Sequence, residues 1–263
     1  MRHQRGRDPR TAVGGALVAV PVAAITFDFW NTLFRSDTAI TTGQRRDALA
    51  AVVSSRAATV DPEVVEAVLR HVLEEHHQGW LTNQQYTAHH AIEQALTLLG
   101  DAVGPDVRDE LADAWLSASR RADVTPTPGL AEVLAALDDA GLRIGIVCDV
   151  GLTPSLVLLE YLEQNDLLRH FDHWSFSDEV GVYKPDPAIF RHALDGLGVD
   201  DPTNALHIGD LRRTDIAGAR GIGMTAVRYR GVFDDPSMED DDSAVEGDHV
   251  IDHLRELLPI AGF

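Results

Sequence analysis

From residue 125 onward the chain alternates short apolar runs with amphipathic ones, and this rhythm restricts the possible folds more than any other feature. "RIGIVCD" (143–149), "HWSFSD" (173–178), "ALHIGD" (205–210), "MTAVRYR" (224–230) and "HVI" (249–251) read as strands. "LAEVLAALDDAG", "PSLVLLEYLEQN", "PAIFRHALDGLG" and "DIAGARGIG" read as the helices between them. Strands that alternate with helices imply a parallel sheet covered on both faces. One further strand, "VAAITFDF" (22–29), stands apart, ahead of a block from about 40 to 122 with only helical spacing. In that block "RRDALAAVVSSRA", "DPEVVEAVLRHVLEEH", "YTAHHAIEQALTLLG" and "PDVRDELADAWLSASRR" carry apolar residues three and four apart, and Asp61-Pro62 and Pro105-Asp106 look like helix starts. The expected fold is α/β: a Rossmann-like parallel sheet with helices on both faces, plus an inserted all-helical subdomain. The core takes residues 21–38 and 123–263, the insertion takes 39–122, and residues 1–20 form an N-terminal arm.

Charge and cysteine content exclude several classes. Net charge is −20 with a pI near 4.8, so the overall field repels nucleic acid and anionic membrane. The acid is concentrated over 231–248, "GVFDDPSMEDDDSAVEGD", where 8 acidic residues and no Lys or Arg read as a solvated loop. The single cysteine, Cys148, rules out an internal disulfide and suits a reducing cytoplasm. The start of the chain imitates a signal peptide, but cleavage after Ala24 would cut the strand that carries Asp28. The reading is therefore a disordered arm on a cytoplasmic protein of undetermined oligomeric state.

In an open α/β sheet, ligands sit at the carboxyl ends of strands, near the point where strand order reverses. The polar residues at those ends are Asp28, Cys148-Asp149, Lys184 in the loop "SDEVGVYKPDP", and Asp210 followed by Asp215. Carboxylates and a lysine around one crevice suit a hard cation with oxygen ligands and an anionic substrate. Asp215 also reads as a helix N-cap. His76, His77, His89 and His90 read as surface residues of the helical block, because adjacent histidines on a helix point apart.

These segments together resemble the haloacid dehalogenase (HAD) superfamily of hydrolases, over residues 22 to about 255. "FDFWNTL" is similar to its first motif and "GIVCD" sits where its second lies. "VGVYKPDPAIF" is similar to the third and "HIGDLRRTDIAGARGIGM" to the fourth. The helical insertion resembles a C1 cap. The resemblance implies a Mg²⁺-dependent phosphatase acting on a phosphorylated small molecule, with Asp28 as nucleophile and an aspartyl-phosphate intermediate. It assigns catalysis to Asp28 and Lys184, and the metal to Asp28, the main-chain carbonyl of Trp30, and Asp210. Asp215 supports the metal or Lys184, and Thr32, Cys148 and Asp149 contact substrate. A carboxylate nucleophile is expected to be ionised already at pH 7, needing no partner base.

Two residues depart from the family pattern. Family phosphatases carry a second Asp two residues after the nucleophile, which protonates the leaving alkoxide and later activates water; here that residue is Trp30. Its absence points to substrates with good leaving groups, such as acyl phosphates. Dehalogenases of the family carry Tyr there, so a carbon–halogen hydrolase is one alternative, although Asp210 keeps the acidic pattern that such enzymes lose. Phosphonatase chemistry needs a cap lysine, and residues 40–122 contain no Lys. A non-catalytic binding protein on the same fold is the other alternative. The second departure is Cys148, a weak donor where a phosphate-binding Ser or Thr belongs, which leaves that grip to backbone N–H groups and Thr153.

Overall fold

β1 (Ala24–Phe27) is buried at every position, as a strand must be when helices cover both faces of its sheet. The computed structural model to which it belongs describes residues 22–56, 61–100, 103, 107–235 and 245–263. The anticipated arm over 1–20, the Pro105-Asp106 helix start and the centre of the acidic loop lie outside the described residues. After β1 come β2 (Phe34–Ser36), then α1 (Thr38–Arg56), α2 (Pro62–Leu81), α3 (Ala88–Leu99) and α4 (Val107–Arg120). β3 (Val124–Pro126), α5 (Leu130–Asp139), β4 (Arg143–Cys148) and α6 (Ser155–Gln164) follow. Then come β5 (His173–Phe176), α7 (Ser177–Val180), α8 (Pro187–Leu197) and β6 (Ala205–Gly209). The chain ends with α9 (Ala217–Ile222), β7 (Thr225–Tyr229), β8 (His249–Ile251) and α10 (Leu257–Ala261).

Six strands form one sheet in the order β5-β4-β1-β6-β7-β8, and every pairing is parallel. Period-two alternation divides the core between the faces. Ile25, Phe27, Ile144, Ile146, Leu206 and Ile208 point to one side, against α5, α6 and α10. Ala24, Val147 and Ala205 point to the other, against α8 and α9. The chain leaves β1 towards β4 on one side and later returns to β6 on the other. Phe27 pairs with both Ile146 and Ile208, so β1, β4 and β6 end level with one another.

The sheet confirms the Rossmann-like reading, but two local features differ from expectation. β2 and β3 pair antiparallel, Phe34 with Pro126 and Ser36 with Val124, and make a ribbon at the root of the helical insertion. Strands this short show no periodicity, and the turn-like "TPTPG" hides the second of them. β5 stops at Phe176 instead of 178, because the Ser177 hydroxyl turns to accept the Val150 N–H at 3.1 Å as α7 begins.

α1–α4 bury a core of their own, with Leu49, Val68, Leu69, Ala91, Leu111 and Trp115 among its members. Asp61 caps α2 by accepting from Glu63 N at 2.9 Å, with Pro62 in the first turn, as the sequence indicates. Leu152, from the loop after β4, inserts into this second core, and its carbonyl accepts from the buried Trp115 indole N–H at 3.0 Å. Trp115→Phe keeps most of the apolar contact but leaves that carbonyl unpaired. The expected cost is about 1–3 kcal/mol of unfolding free energy, read from denaturant melts, and an unchanged stability would show the contact to be incidental.

Candidate active site

The site is built from strand ends. Asp28 follows β1, and its N–H donates to Ile208 O at 2.8 Å, holding the residue at the sheet's edge. The chain then reverses: Asn31 takes a left-handed conformation (φ 60°), which Asn tolerates, and the N–H groups of Leu33 and Phe34 both return to Phe29 O at 2.9 Å. That turn aims the Asn31 amide at Asp210, donating to its Oδ2 at 3.0 Å. Asp210 follows β6. Five residues on, Asp215 folds back from a single π-helical turn over Arg212–Ile216, and its Oδ2 accepts the Leu211 N–H at 3.0 Å. The fold-back leaves no room for a side chain at 209, where a Cβ would lie 2.2 Å from Asp215 Cγ; this is why "HIGD" carries Gly. Asp215 does not cap α9, contrary to the sequence reading. Its carboxylate is committed elsewhere.

Lys184 closes the cluster. Its main-chain N–H donates to Asp149 Oδ1 at 2.9 Å, and its Nζ reaches Asp215 Oδ1 at 2.7 Å and, in a closer contact, Asp28 Oδ1. Lys184 is 2% exposed and is the only lysine in the chain, where every other basic side chain of the Lys/Arg type is Arg. A compact point charge can sit between two carboxylates where Arg's planar fork would not. His207, on β6, lies behind Asp215 with Nε2 3.1 Å from Oδ1 and Nδ1 2.9 Å from the Thr26 hydroxyl. Burial pushes the His207 pKa down, so a neutral ring with Nε2–H donates to Asp215.

Charge in this cluster is unbalanced. Burial lifts the Asp28 carboxyl to about 7, with Lys184 opposing and Asp215 and Asp149 adding to the rise. Asp28 is therefore only part-ionised at neutral pH without a cation, which differs from the sequence expectation. Burial and the neighbouring Asp28 push Asp210 well above the usual carboxylate range, and burial lifts Asp149 to about 6. Asp215 goes the other way: against burial, Lys184 and His207 hold it well below its ordinary value. Carboxylate oxygens of Asp28, Asp210 and Asp215 all lie within 4.8 Å of one another. Asp215 already accepts from Lys184, His207 and Leu211, so Asp28 and Asp210 have the spare oxygens. Excess buried negative charge on hard oxygen donors fits a divalent cation of the oxygen-seeking kind.

A cavity of about 650 Å³ opens above the cluster. Asp28, Lys184, Asp210, Asp149 and the Trp30 side chain line its core side. The Trp30 ring packs edge-on against Phe29 with centroids 5.1 Å apart. Thr32 and Cys148 are fully buried and are absent from the cavity wall. Thr32 serves through its carbonyl, which accepts from Thr127 Oγ1 at 2.8 Å, and burial pushes the Cys148 thiol well up. The helical insertion supplies the opposite wall with Arg45, Leu73, His76, His77 and Trp80. His89 and His90 are exposed, as expected, whereas His76 is half-buried and lines the cavity. The apolar stripe of α2, Val65, Val68 and Val72, continues at the same spacing to His76, and burial lowers its pKa to about 4. Arg45 lies on the buried stripe of α1 with Thr41, Ala48 and Val52. Polar side chains on an apolar stripe were the available signal for both. Arg213, three residues after Asp210, joins the two walls: its guanidinium lies 4.5 Å from the Trp80 ring centroid and donates to Trp80 O at 2.9 Å and to Asn83.

A family model for haloacid dehalogenase-like hydrolases matches residues 22–223. A glyceraldehyde 3-phosphate phosphatase of Methanopyrus kandleri is 31% identical, the match covering 91% of this chain and 97% of that protein. Among solved structures, a HAD phosphatase from Thermococcus onnurineus superposes with a TM-score of 0.60 at 23% identity, covering 91% of this chain and 97% of the other. A 2-haloacid dehalogenase from Pseudomonas syringae does so at 0.61 and 23%, with the same coverage of both chains. The fold is thus shared with enzymes named for two different reactions.

Lys184→Met in metal-free buffer would leave Asp28 and Asp215 buried without their cation, an expected loss of about 3–5 kcal/mol at neutral pH. Removing the cation lifts Asp28 further above its unfolded value and takes from Asp215 the charge that holds it below, so both carboxyls rise. Carboxyls raised in this way favour the folded state at low pH and lose that contribution as pH rises. The deficit relative to wild type should therefore shrink between pH 7.5 and pH 5 in urea melts with EDTA. A deficit that is constant over that range would contradict the assignment.

Proposed function

This chain belongs to the haloacid dehalogenase-like hydrolases, and from that premise we propose that it is a Mg²⁺-dependent phosphatase of a phosphorylated small molecule, working through an aspartyl-phosphate on Asp28. The observation that carries the reading is the convergence of Asp28 and Asp210 within 4.8 Å, with Lys184 on Asp28, at the base of a cavity of metabolite size. Residues 39–122 act as a helical cap of the C1 type over a core of 21–38 and 123–263. The lone Cys148 accords with a reducing cytoplasm.

In this reading Asp28 Oδ attacks phosphorus in line, the bond to the leaving oxygen breaks, and water then hydrolyses the acyl phosphate. Asp28, Asp210 and the Trp30 carbonyl would hold Mg²⁺, which would supply positive charge against the phosphoryl oxygens; Asp28 and Asp210 bring the spare carboxylate oxygens for it. Lys184 contributes the second positive charge on the substrate side, and Asp215, oriented by His207, holds the Lys184 ammonium in place. Asn31 fixes the rotation of the Asp210 carboxylate. Trp30 has no proton to give, so the leaving oxygen departs as an anion unless water protonates it. The Trp30 side chain on the cavity wall also favours a second reading, carbon–halogen hydrolysis, in which no proton is needed. The crowded carboxylates argue for the phosphatase, because halide displacement has no use for a cation-binding acidic cluster.

Hydrolysis of a panel of phosphate esters should require Mg²⁺, vanish with EDTA and vanish in Asp28→Asn. Halide release from 2-haloacids that is indifferent to EDTA would transfer the assignment to the second reading. Trp30→Asp restores a carboxylate two residues after the nucleophile. It should raise turnover of alkyl phosphates by up to ~10²-fold and of aryl or acyl phosphates much less, since only the former need a proton on departure. An unchanged alkyl-to-aryl ratio would show that Trp30 acts as a wall and that no acid is missing.

A further inference from the structure

Arg45 has no carboxylate partner among the described residues. It is 7% exposed, on α1 of the helical insertion, and yet it faces the cavity. Its Nη2 donates to the Thr153 hydroxyl at 2.9 Å, and its guanidinium lies 5.5 Å from the Trp115 ring centroid. Its Nε is buried with no hydrogen-bond partner. A buried guanidinium served only by one neutral hydroxyl and an aromatic face is costly, because desolvation is not repaid by an opposite charge. The rest of the molecule shows the usual remedy: buried Arg228 pairs with Asp234 and Glu246, and Arg212 pairs with Glu246. In a chain of net charge −20, carboxylates are abundant, and the one buried cation facing the cavity from the cap side has none.

Arg45 also stands apart from the acidic cluster. Burial lowers its pKa to about 10, with only Tyr161 opposing; the carboxylates around Lys184 do not restore it. His76, beside it, stays neutral, partly because Arg45 is near, and offers a polar ring without competing charge. Leu73, Val150 and Leu152 supply apolar wall around them. The cavity is therefore polarised: Asp28, Lys184 and Asp210 at one end, and an unpaired guanidinium on the opposite wall.

We propose that Arg45, with Thr153, is the receptor for a second anionic oxygen group on the substrate, a carboxylate or a further phosphate at the end that does not react. The proposal rests on the phosphatase reading for which end reacts, and it narrows the substrate class to small phosphate esters with an acidic tail. Arg45 is then a specificity-determining residue, because a charge-assisted hydrogen bond discriminates strongly against a neutral tail.

Binding of phosphonoacetate and of ethylphosphonate, measured calorimetrically with Mg²⁺, tests this without turnover. The wild type should bind the carboxylate-bearing phosphonate at least ~10-fold more tightly, the equivalent of one charge-assisted hydrogen bond. Arg45→Met should erase that ratio, and Arg45→Lys should restore part of it. Arg45→Met should also melt no lower than wild type in the absence of ligand, since it replaces an unpaired buried cation with an apolar side chain of similar length. Equal affinity of the wild type for the two phosphonates, binding of neither, or a ratio that survives in Arg45→Met would overturn the proposal. A marked drop in melting temperature for Arg45→Met would overturn it too, by making Arg45 structural. Failure of the phosphatase reading shows separately, as absence of Mg²⁺-dependent hydrolysis across the ester panel.

Discussion

One buried ammonium, Lys184 Nζ, lies between the carboxylates of Asp28 and Asp215, and the arrangement of the site follows from it. Three segments distant in sequence meet at that atom: the end of β1, the loop after α7 and the turn after β6. Each carboxylate would be expensive to bury alone. Around the lysine one of them, Asp215, becomes strongly acidic, while Asp28 remains near neutrality with its own basicity raised. Asp28, the proposed nucleophile, and Asp215 therefore differ in character although they touch the same cation. The difference comes from their other partners: Asp215 also accepts from His207 and Leu211, and Asp28 has no such additional donor.

The acidic cluster and the helical insertion depend on each other. The insertion joins the core at a short ribbon, β2 with β3, and makes further contacts, two of which bear directly on the site. Trp115 donates to Leu152 in the loop after β4, and Arg213 grips Trp80 and Asn83 from the turn that carries Asp215. Both anchors belong to loops that also line the cavity or position the carboxylates. A change in how the insertion sits would be felt at the strand ends, and the reverse holds equally. The cavity is closed on one side by the carboxylates and Lys184 of the core and on the other by Arg45, Leu73, His76, His77 and Trp80 of the insertion.

Arg45 and Trp30 show how a common scaffold is turned to a particular use. Trp30 stands where family phosphatases carry a proton donor and adds an apolar surface, packed on Phe29, beside Asp28. Arg45 places an unpaired cation on the facing wall. In the proposed reading the charge of Arg45 is matched by an anionic group of the ligand.

Some of this was readable from the sequence alone. Period-two strands alternating with period-3.6 helices determine a parallel sheet, and a parallel sheet puts its strand ends along one edge, so Asp28, Asp149, Lys184, Asp210 and Asp215 could be gathered in advance. Local spacing also located the insertion and its helices. Tertiary structure decided what local pattern cannot carry. The Lys184–Asp28 contact spans 156 residues and the Arg45–Thr153 contact spans 108, and no periodicity links such positions. His76 and Arg45 were hidden because a polar side chain on an apolar stripe looks like an interruption until the opposing surface is known. Thr32 and Cys148 matched positions in a motif, yet burial turned them from the cavity. Ionisation was the last property to be decided. The Asp28 carboxyl moves to about 7 chiefly because packing removes its water, and that removal is a property of the assembled fold.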